Sequence, residues 1–178
     1  MGRLLRDYHE AVQGFRPSAG AVWAAGYGAG PALDADDEVV CHGDFGPWNL
    51  VWHGTRPVGI LDWDYAGPGP RRRDVAYALE FVAPFRDDAT CLRWLRYPSP
   101  PDRARRIRIF ASAYRLDGTD GLVDDVIAEQ ERLVELTRRL AAAGQEPHRT
   151  WQCDGVLDEA GRRVDWSRRH RHLFGDPR

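Results

Sequence analysis

The segment that most limits how this chain can fold runs from Val39 to Leu79, VVCHGDFGPWNLVWHGTRPVGILDWDYAGPGPRRRDVAYAL. It holds three short apolar runs: Val39 to His42, NLVW and PVGIL. Only HGTR separates the last two, and strand, short turn, strand is the pattern of a β-hairpin. The following AGPGP reads as a loop. Asp74 is then placed to cap a helix with Val75, Ala78, Leu79 and Val82 on its inner face.

Helical periodicity governs most of the rest. Leu4, Leu5, Tyr8, Val12 and Phe15 share one face over residues 4 to 15, and Pro17 stops that helix. The Gly-rich stretch SAGAVWAAGYGAGPALDADDE reads as a crossing loop. Asp102 opens a helix carrying Ile107, Phe110, Ala111 and Tyr114 on one side. After DGTDG, a long helix from Leu122 to Ala143 aligns Val126, Leu133 and Leu140, reinforced by Val123 and Leu136. Its acidic start (Asp124, Asp125) and basic end (Arg138, Arg139) suit the helix dipole. A last helix is expected near Asp165. Helix, small hairpin region, then helices make an α+β fold dominated by helix, with residues 1–178 expected to form one domain.

Composition removes several function classes. Apolar residues make up 43% of the 178 residues and charged residues 29%, a globular balance. No apolar run approaches the roughly 18 residues of a membrane span. The opening MGRLLRDYHEAVQGF is charged throughout and lacks a secretory apolar core, so no membrane partner and a cytoplasmic location are expected. The net charge of −2 and the lack of aromatic residues among the arginines at 71–73 argue against nucleic acid, and that run reads as a solvated loop. RRHRHLF reads as an exposed basic tail. Cys41, Cys91 and Cys153 form no C-x-x-C pair and read as reduced, buried thiols. Trp48, Trp52 and Trp63 read as packing around the hairpin. All 25 basic residues are arginine, so no mechanism of this chain can use its own lysine.

Three polar residues of the hairpin region converge by register. Antiparallel partners keep a constant index sum; for Asn49 and Asp62 it is 111, which centres the turn between Thr55 and Arg56, close to HGTR. Both side chains then stand at the open end of the hairpin, and Asp44 lies in the loop leading there. Magnesium takes oxygen ligands and commonly only one or two from protein, which Asn49 and Asp62 supply. A carboxylate outside the metal shell can orient a hydroxyl and accept its proton, which suits Asp44. Phosphoryl transfer asks mainly for such positioning and charge neutralisation. Asp64 reads as an exposed or loop-bracing carboxylate.

HGDFGPWN resembles the H-G-D-x-x-x-x-N catalytic loop of the aminoglycoside phosphotransferase and choline kinase-like families, relatives of the protein kinases. ILDWDYAGPGPRRRDVAYAL resembles the segment that follows it there, in which the first Asp of I-D-W-[DE] binds magnesium. The resemblance implies a catalytic base at Asp44, metal ligands at Asn49 and Asp62, and support of the loop by His42 and Asp74. It also implies Mg²⁺ with ATP or GTP, a hydroxyl acceptor on a small cationic metabolite or antibiotic, and the mainly helical C-terminal lobe of a kinase-like fold across roughly residues 4–143. Asp117, Asp120 and Asp124, with Asp125 and Glu129, read first as a solvated helix start and second as an acidic wall for an amine; Trp151 and Trp166 read equally as packing or as an aromatic contact for a choline-like acceptor.

The families' N-terminal lobe, with its phosphate-covering loop and lysine, is expected to be absent. GYGAG at 26–30 has spaced glycines but no flanking strand. Three readings stay open: a fragment, a chain complemented by another carrying the missing lobe, or a stand-alone binding protein that dimerises through the face the lobe would cover. Weak or absent kinase activity is expected of the isolated chain.

Overall fold

The computed structural model describes residues 1–18, 20–23 and 37–175. Most of the crossing loop, including GYGAG, lies outside the described residues. Seven α-helices and four short strands are present among the described residues. In chain order they are α1 (Gly2–Val12), β1 (Glu38–Cys41), β2 (Leu50–His53), β3 (Arg56–Ile60), β4 (Gly67–Pro70), α2 (Arg71–Val82), α3 (Asp88–Arg93), α4 (Arg103–Tyr114), α5 (Leu122–Ala142), α6 (His148–Cys153) and α7 (Val156–Arg169). The architecture is α+β, with helix predominating over two small antiparallel ribbons.

The hairpin forms where the apolar runs placed it. Leu50 faces Ile60 and His53 faces Arg56, with a register shift between Val51 and Trp52. The turn is centred between Gly54 and Thr55, one residue earlier than expected, and the shift recovers only one of the two residues of offset, so Asn49 meets Leu61 rather than Asp62; the Leu61 amide donates to the Asn49 carbonyl at 2.9 Å.

AGPGP is not a loop. Gly67–Pro70 is β4, pairing with β1 from Cys41↔Gly67 to Glu38↔Pro70. The prolines fall at alternate positions, so both missing donors lie on one side of the strand. The glycines keep the donors that β1 needs, and Arg71 N continues the ladder to Asp37 O at 3.2 Å.

α2 follows at once, so the arginines at 71–73 form its first turn instead of a solvated loop. Arg72 pairs with Asp125 at 2.6 Å, and Arg73 donates to the carbonyls of Pro68 and Gly67. Residues 74–80 are buried without interruption, because β1, α1, α4 and α5 surround α2. The core joins Leu5 of α1, Phe45 and Leu50 of the hairpin region, Leu79 of α2, Ile107 and Phe110 of α4, and Val126 of α5.

α4 begins as expected, with the Asp102 carboxylate accepting from Arg105 N at 2.9 Å. The final long helix starts nine residues earlier than expected, at Val156. The basic tail is not loose either: Phe174 is buried and stacks on Phe85 with ring centroids 3.8 Å apart, and His170 stacks on Trp166. Cys41 and Cys91 are buried free thiols, but Cys153 is exposed. No helix among the described residues is long and apolar enough to cross a membrane.

Candidate active site

β1 delivers the chain to a loop, residues 42–49, that is held from below by one buried carboxylate. Asp74, fully buried in the first turn of α2, accepts the His42 amide on Oδ2 at 2.6 Å and the Gly43 amide on Oδ1 at 2.8 Å. The sequence placed Asp74 as a helix cap; its carboxylate faces the loop, and Pro70 occupies the cap position. His9 of α1 places Nε2 3.1 Å from Asp74 Oδ2 and Nδ1 2.6 Å from the Tyr114 hydroxyl of α4. Three helices thus meet on the base of one loop. Burial opposes charge on Asp74, but His9 and the amides of Gly43 and His42 outweigh it and hold its carboxyl below the ordinary carboxylate range.

Gly43 could not be another residue. Its φ is +81°, and a Cβ there would lie 2.1 Å from the Tyr65 carbonyl oxygen.

His42 joins the loop to the hairpin. Its Nε2 donates to Leu61 O at 2.8 Å and its Nδ1 accepts from Asp44 N at 3.2 Å. Both ring nitrogens are committed, which fixes the neutral tautomer with hydrogen on Nε2. Trp63 packs edge-on against the ring, centroids 4.7 Å apart, and against Tyr8. Trp48, Trp52 and Trp63 nonetheless each leave two-fifths or more of their surface exposed.

Asp44 sits half-buried at the top of this stack. The Asn49 amide nitrogen donates to its carboxylate at 2.8 Å and to its carbonyl at 2.9 Å. The Tyr77 hydroxyl of α2 donates to Oδ1. Burial, then the Asp44 charge, push the Tyr77 phenol far above its ordinary range, so it remains a donor. Asp62 follows Leu61 directly and so leaves the hairpin beside Asn49. Its side chain is exposed and its φ is +61°, a left-handed conformation uncommon outside glycine. Asp64 is exposed.

A cavity of about 370 Å³ opens beside Asp44, between the loop, α2, α5, α6 and α7. Trp48, Tyr65, Tyr77 and Trp151 give it aromatic walls; Glu80, Gln130 and Arg163 are among its polar lining residues. Trp166 lies elsewhere, packed on His170 and Phe174. Asp117, Asp120 and Asp124 are exposed around the start of α5 and do not line this cavity. Arg171 pairs with Asp124 at 2.5 Å and Arg72 with Asp125, while Glu129 is buried and clasped by Arg132 at 2.6 Å. Asp124, Asp125 and Glu129 are therefore each paired with an arginine of the same chain.

His9, Tyr77 and Gln130 carry site geometry that sequence reasoning passed over. His9 lies four residues after Leu5 on the apolar face of α1, and a polar residue in an apolar stripe was the available signal. Tyr77 lies one turn after Asp74 on α2.

A family model described as the phosphotransferase enzyme family matches residues 2–106. The chain belongs to that family. It is 33% identical over 128 residues to the trifolitoxin immunity protein of Rhizobium leguminosarum bv. trifolii, covering 71% of this chain and 48% of the relative. A shorter match, 40% identical over 50 residues, joins 27% of the chain to 6% of acyl-CoA dehydrogenase family member 11 of Gallus gallus. The chain thus spans about half the length of the first relative and a small part of the second. No solved structure matches.

The donor chemistry at the hairpin mouth suits a hard cation. Asn49 commits its nitrogen to Asp44, which leaves its oxygen as the half that can meet a metal, and Asp62, one residue past the backbone partner of Asn49, has an exposed carboxylate. Among the described residues no group of three or more His, Cys, Asp or Glu side chains could hold a metal. Any such ion would have two protein oxygens and take its remaining ligands from phosphate and water.

Proposed function

We propose that this site belongs to a small-molecule phosphotransferase, moving the terminal phosphate of ATP or GTP to a hydroxyl of a small acceptor. The observation that carries the reading is the double anchoring of Asp44 by Asn49 and Tyr77 on a loop fixed from beneath by Asp74. Those donors occupy one lone pair on each Asp44 oxygen and aim another outward, where it accepts the acceptor's hydroxyl proton. The hydroxyl oxygen bonds to the terminal phosphorus as the bond to the departing nucleoside diphosphate breaks. Asn49 and Asp62 are the residues that would hold Mg²⁺, which supplies charge neutralisation on the phosphates. His42 and Asp74 position the loop. The family resemblance would favour a cationic acceptor; the cavity lining speaks for a different one, argued below.

A second reading has its own support. Around the hairpin Val51, Trp52, Val58, Leu61 and Trp63 are each about half exposed, apolar surface suited to contact with another protein segment or a second copy. On that reading the chain binds without transferring phosphate. The likeness to an immunity protein accords with either modification or sequestration of a toxic molecule.

Thermal unfolding with and without Mg²⁺ and nucleotide separates the two. A rise in melting temperature that needs both Mg²⁺ and Asp62 supports the phosphotransferase site. No rise for the unaltered chain, together with a dimer in solution, removes it in favour of the binding protein. This chain, which has no lysine, should turn over ATP slowly or not at all, on the order of 10³-fold or more below a kinase that clamps the nucleotide phosphates with a lysine.

A further inference from the structure

The cavity beside Asp44 has a wall whose chemistry is narrower than phosphoryl transfer demands. Gln130 of α5 lines it and is only 4% exposed, yet neither its amide nitrogen nor its amide oxygen has a hydrogen-bond partner among the described residues. Its buried polar neighbours are satisfied: Glu129 by Arg132, and Glu80 by Arg163 at 2.8 Å. A buried amide open at both ends is unfavourable unless something meets it. The cavity around it is rich in aromatic and aliphatic side chains, with Leu133 and Val134 on the same helix and Trp48 and Trp151 also in its lining. Two carboxylates line the space. Glu80 is tied to Arg163, and Asp44 to Asn49 and Tyr77. Asn49 and Tyr77 are neutral and leave Asp44 its charge, but Asp44 is the group that meets the acceptor's hydroxyl, and the other carboxylate, Glu80, is already neutralised by arginine.

We propose that this cavity selects an uncharged acceptor: a small alcohol with an aromatic or aliphatic body and a carboxamide whose N–H and C=O meet Gln130. The proposal rests on the phosphotransferase reading only in calling the ligand an acceptor; its recognition chemistry can be read without catalysis.

Four probes test it by calorimetric titration of the full chain, with tryptophan fluorescence as a second signal from Trp48 and Trp151. N-acetylphenylalaninol has the alcohol, ring and neutral amide. Phenylalaninol replaces the amide with an ammonium, 3-phenyl-1-propanol lacks both, and choline is a cation without an aryl ring. The amide should bind about 10-fold more tightly than phenylalaninol. Gln130→Leu should erase that ratio while leaving 3-phenyl-1-propanol within about 2-fold, since only the amide's partner is lost. Gln130→Glu should reverse the preference toward phenylalaninol and serves if the leucine variant does not fold. Tighter binding of phenylalaninol or choline to the unaltered chain overturns the proposal. So does a lack of saturable amide binding up to about 10 mM, a ratio unmoved by Gln130→Leu, or, where that variant is unfolded, one unmoved by Gln130→Glu. The Mg²⁺–nucleotide melting shift is measured apart from these titrations, so failure of the phosphotransferase reading and failure of the amide preference give different results.

Discussion

The Asn49 side chain donates to the Asp44 carboxylate and to the Asp44 carbonyl at once, at 2.8 and 2.9 Å. One amide therefore fixes both the backbone and the side chain of the residue five positions before it. A hydrogen bond to a charged acceptor is worth about 1.5–3 kcal/mol when partly shielded from water. Asn49→Ala and Asp44→Ala should each destabilise the chain. The double variant should lose less than the sum, with a coupling of about 1 kcal/mol in chemical denaturation. Strict additivity would mean that the two residues are neighbours without mutual support.

The Gly43 backbone leads to a second expectation. Positive φ and the nearby Tyr65 carbonyl act together, so Gly43→Ala combines an unfavourable backbone conformation with a clash against main chain that cannot rotate away. The loss should be at least about 2 kcal/mol, read as a lower denaturation midpoint with an unchanged slope. A variant as stable as the parent would mean the loop reaches its place by another backbone path.

How much of this was legible beforehand differed by element. The hairpin and the α4 core face followed from period and capping, because local pattern and tertiary burial agree there. The α5 face followed too, with Leu133 turned toward the cavity. β4 was missed because Gly-Pro-Gly-Pro has no strand propensity; its pairing depends on β1, which lies more than 25 residues away. Asp74 was read from the local pattern as a cap at the start of α2 and from the family resemblance as a support of the loop; its full burial was not read, since a cap and a buried clamp look alike in one dimension. The register argument brought Asn49 and Asp62 to the same end, but the turn falls between Gly54 and Thr55, one residue earlier than predicted, and the bulge at Val51 and Trp52 recovers only half of the two-residue offset. The acidic stretch from Asp117 to Asp125 is exposed or half-exposed, in keeping with a solvated helix start, and the partners of Asp124 and Asp125, Arg171 and Arg72, are remote in sequence and could not be read from it.

Asp74 should make stability depend on acid pH. Its folded carboxyl sits below the ordinary range, so as pH falls the unfolded chain takes up the proton first. The stabilisation is complete above the unfolded value of about 3.9 and is lost as pH drops from there through the lower folded value. Asp74→Asn should flatten this part of the profile. It should also lower stability at neutral pH by about 3–5 kcal/mol, because the buried His42 and Gly43 amides and His9 lose a charged partner. A profile between pH 5 and pH 2 that is identical in the two proteins would show that other carboxylates govern acid unfolding.

Asp62 sets stability against function in a single residue. Its φ of +61° is a conformation that glycine adopts without penalty, whereas a side chain there is unfavourable by about 1 kcal/mol or more. Its carboxylate is exposed, so the Asp62→Gly variant gives up little packing. That variant should melt at the same temperature as the parent or higher, while losing the Mg²⁺-dependent rise on adding nucleotide. Asp62→Val should be less stable than either, since a β-branched residue tolerates positive φ poorly. The ordering glycine, aspartate, valine in ligand-free stability tests the backbone argument alone, and the loss of the Mg²⁺ response in both variants tests the carboxylate. If Asp62→Gly kept the full response, the metal would have to be held elsewhere, and the strained conformation of Asp62 would need an explanation other than ligand binding.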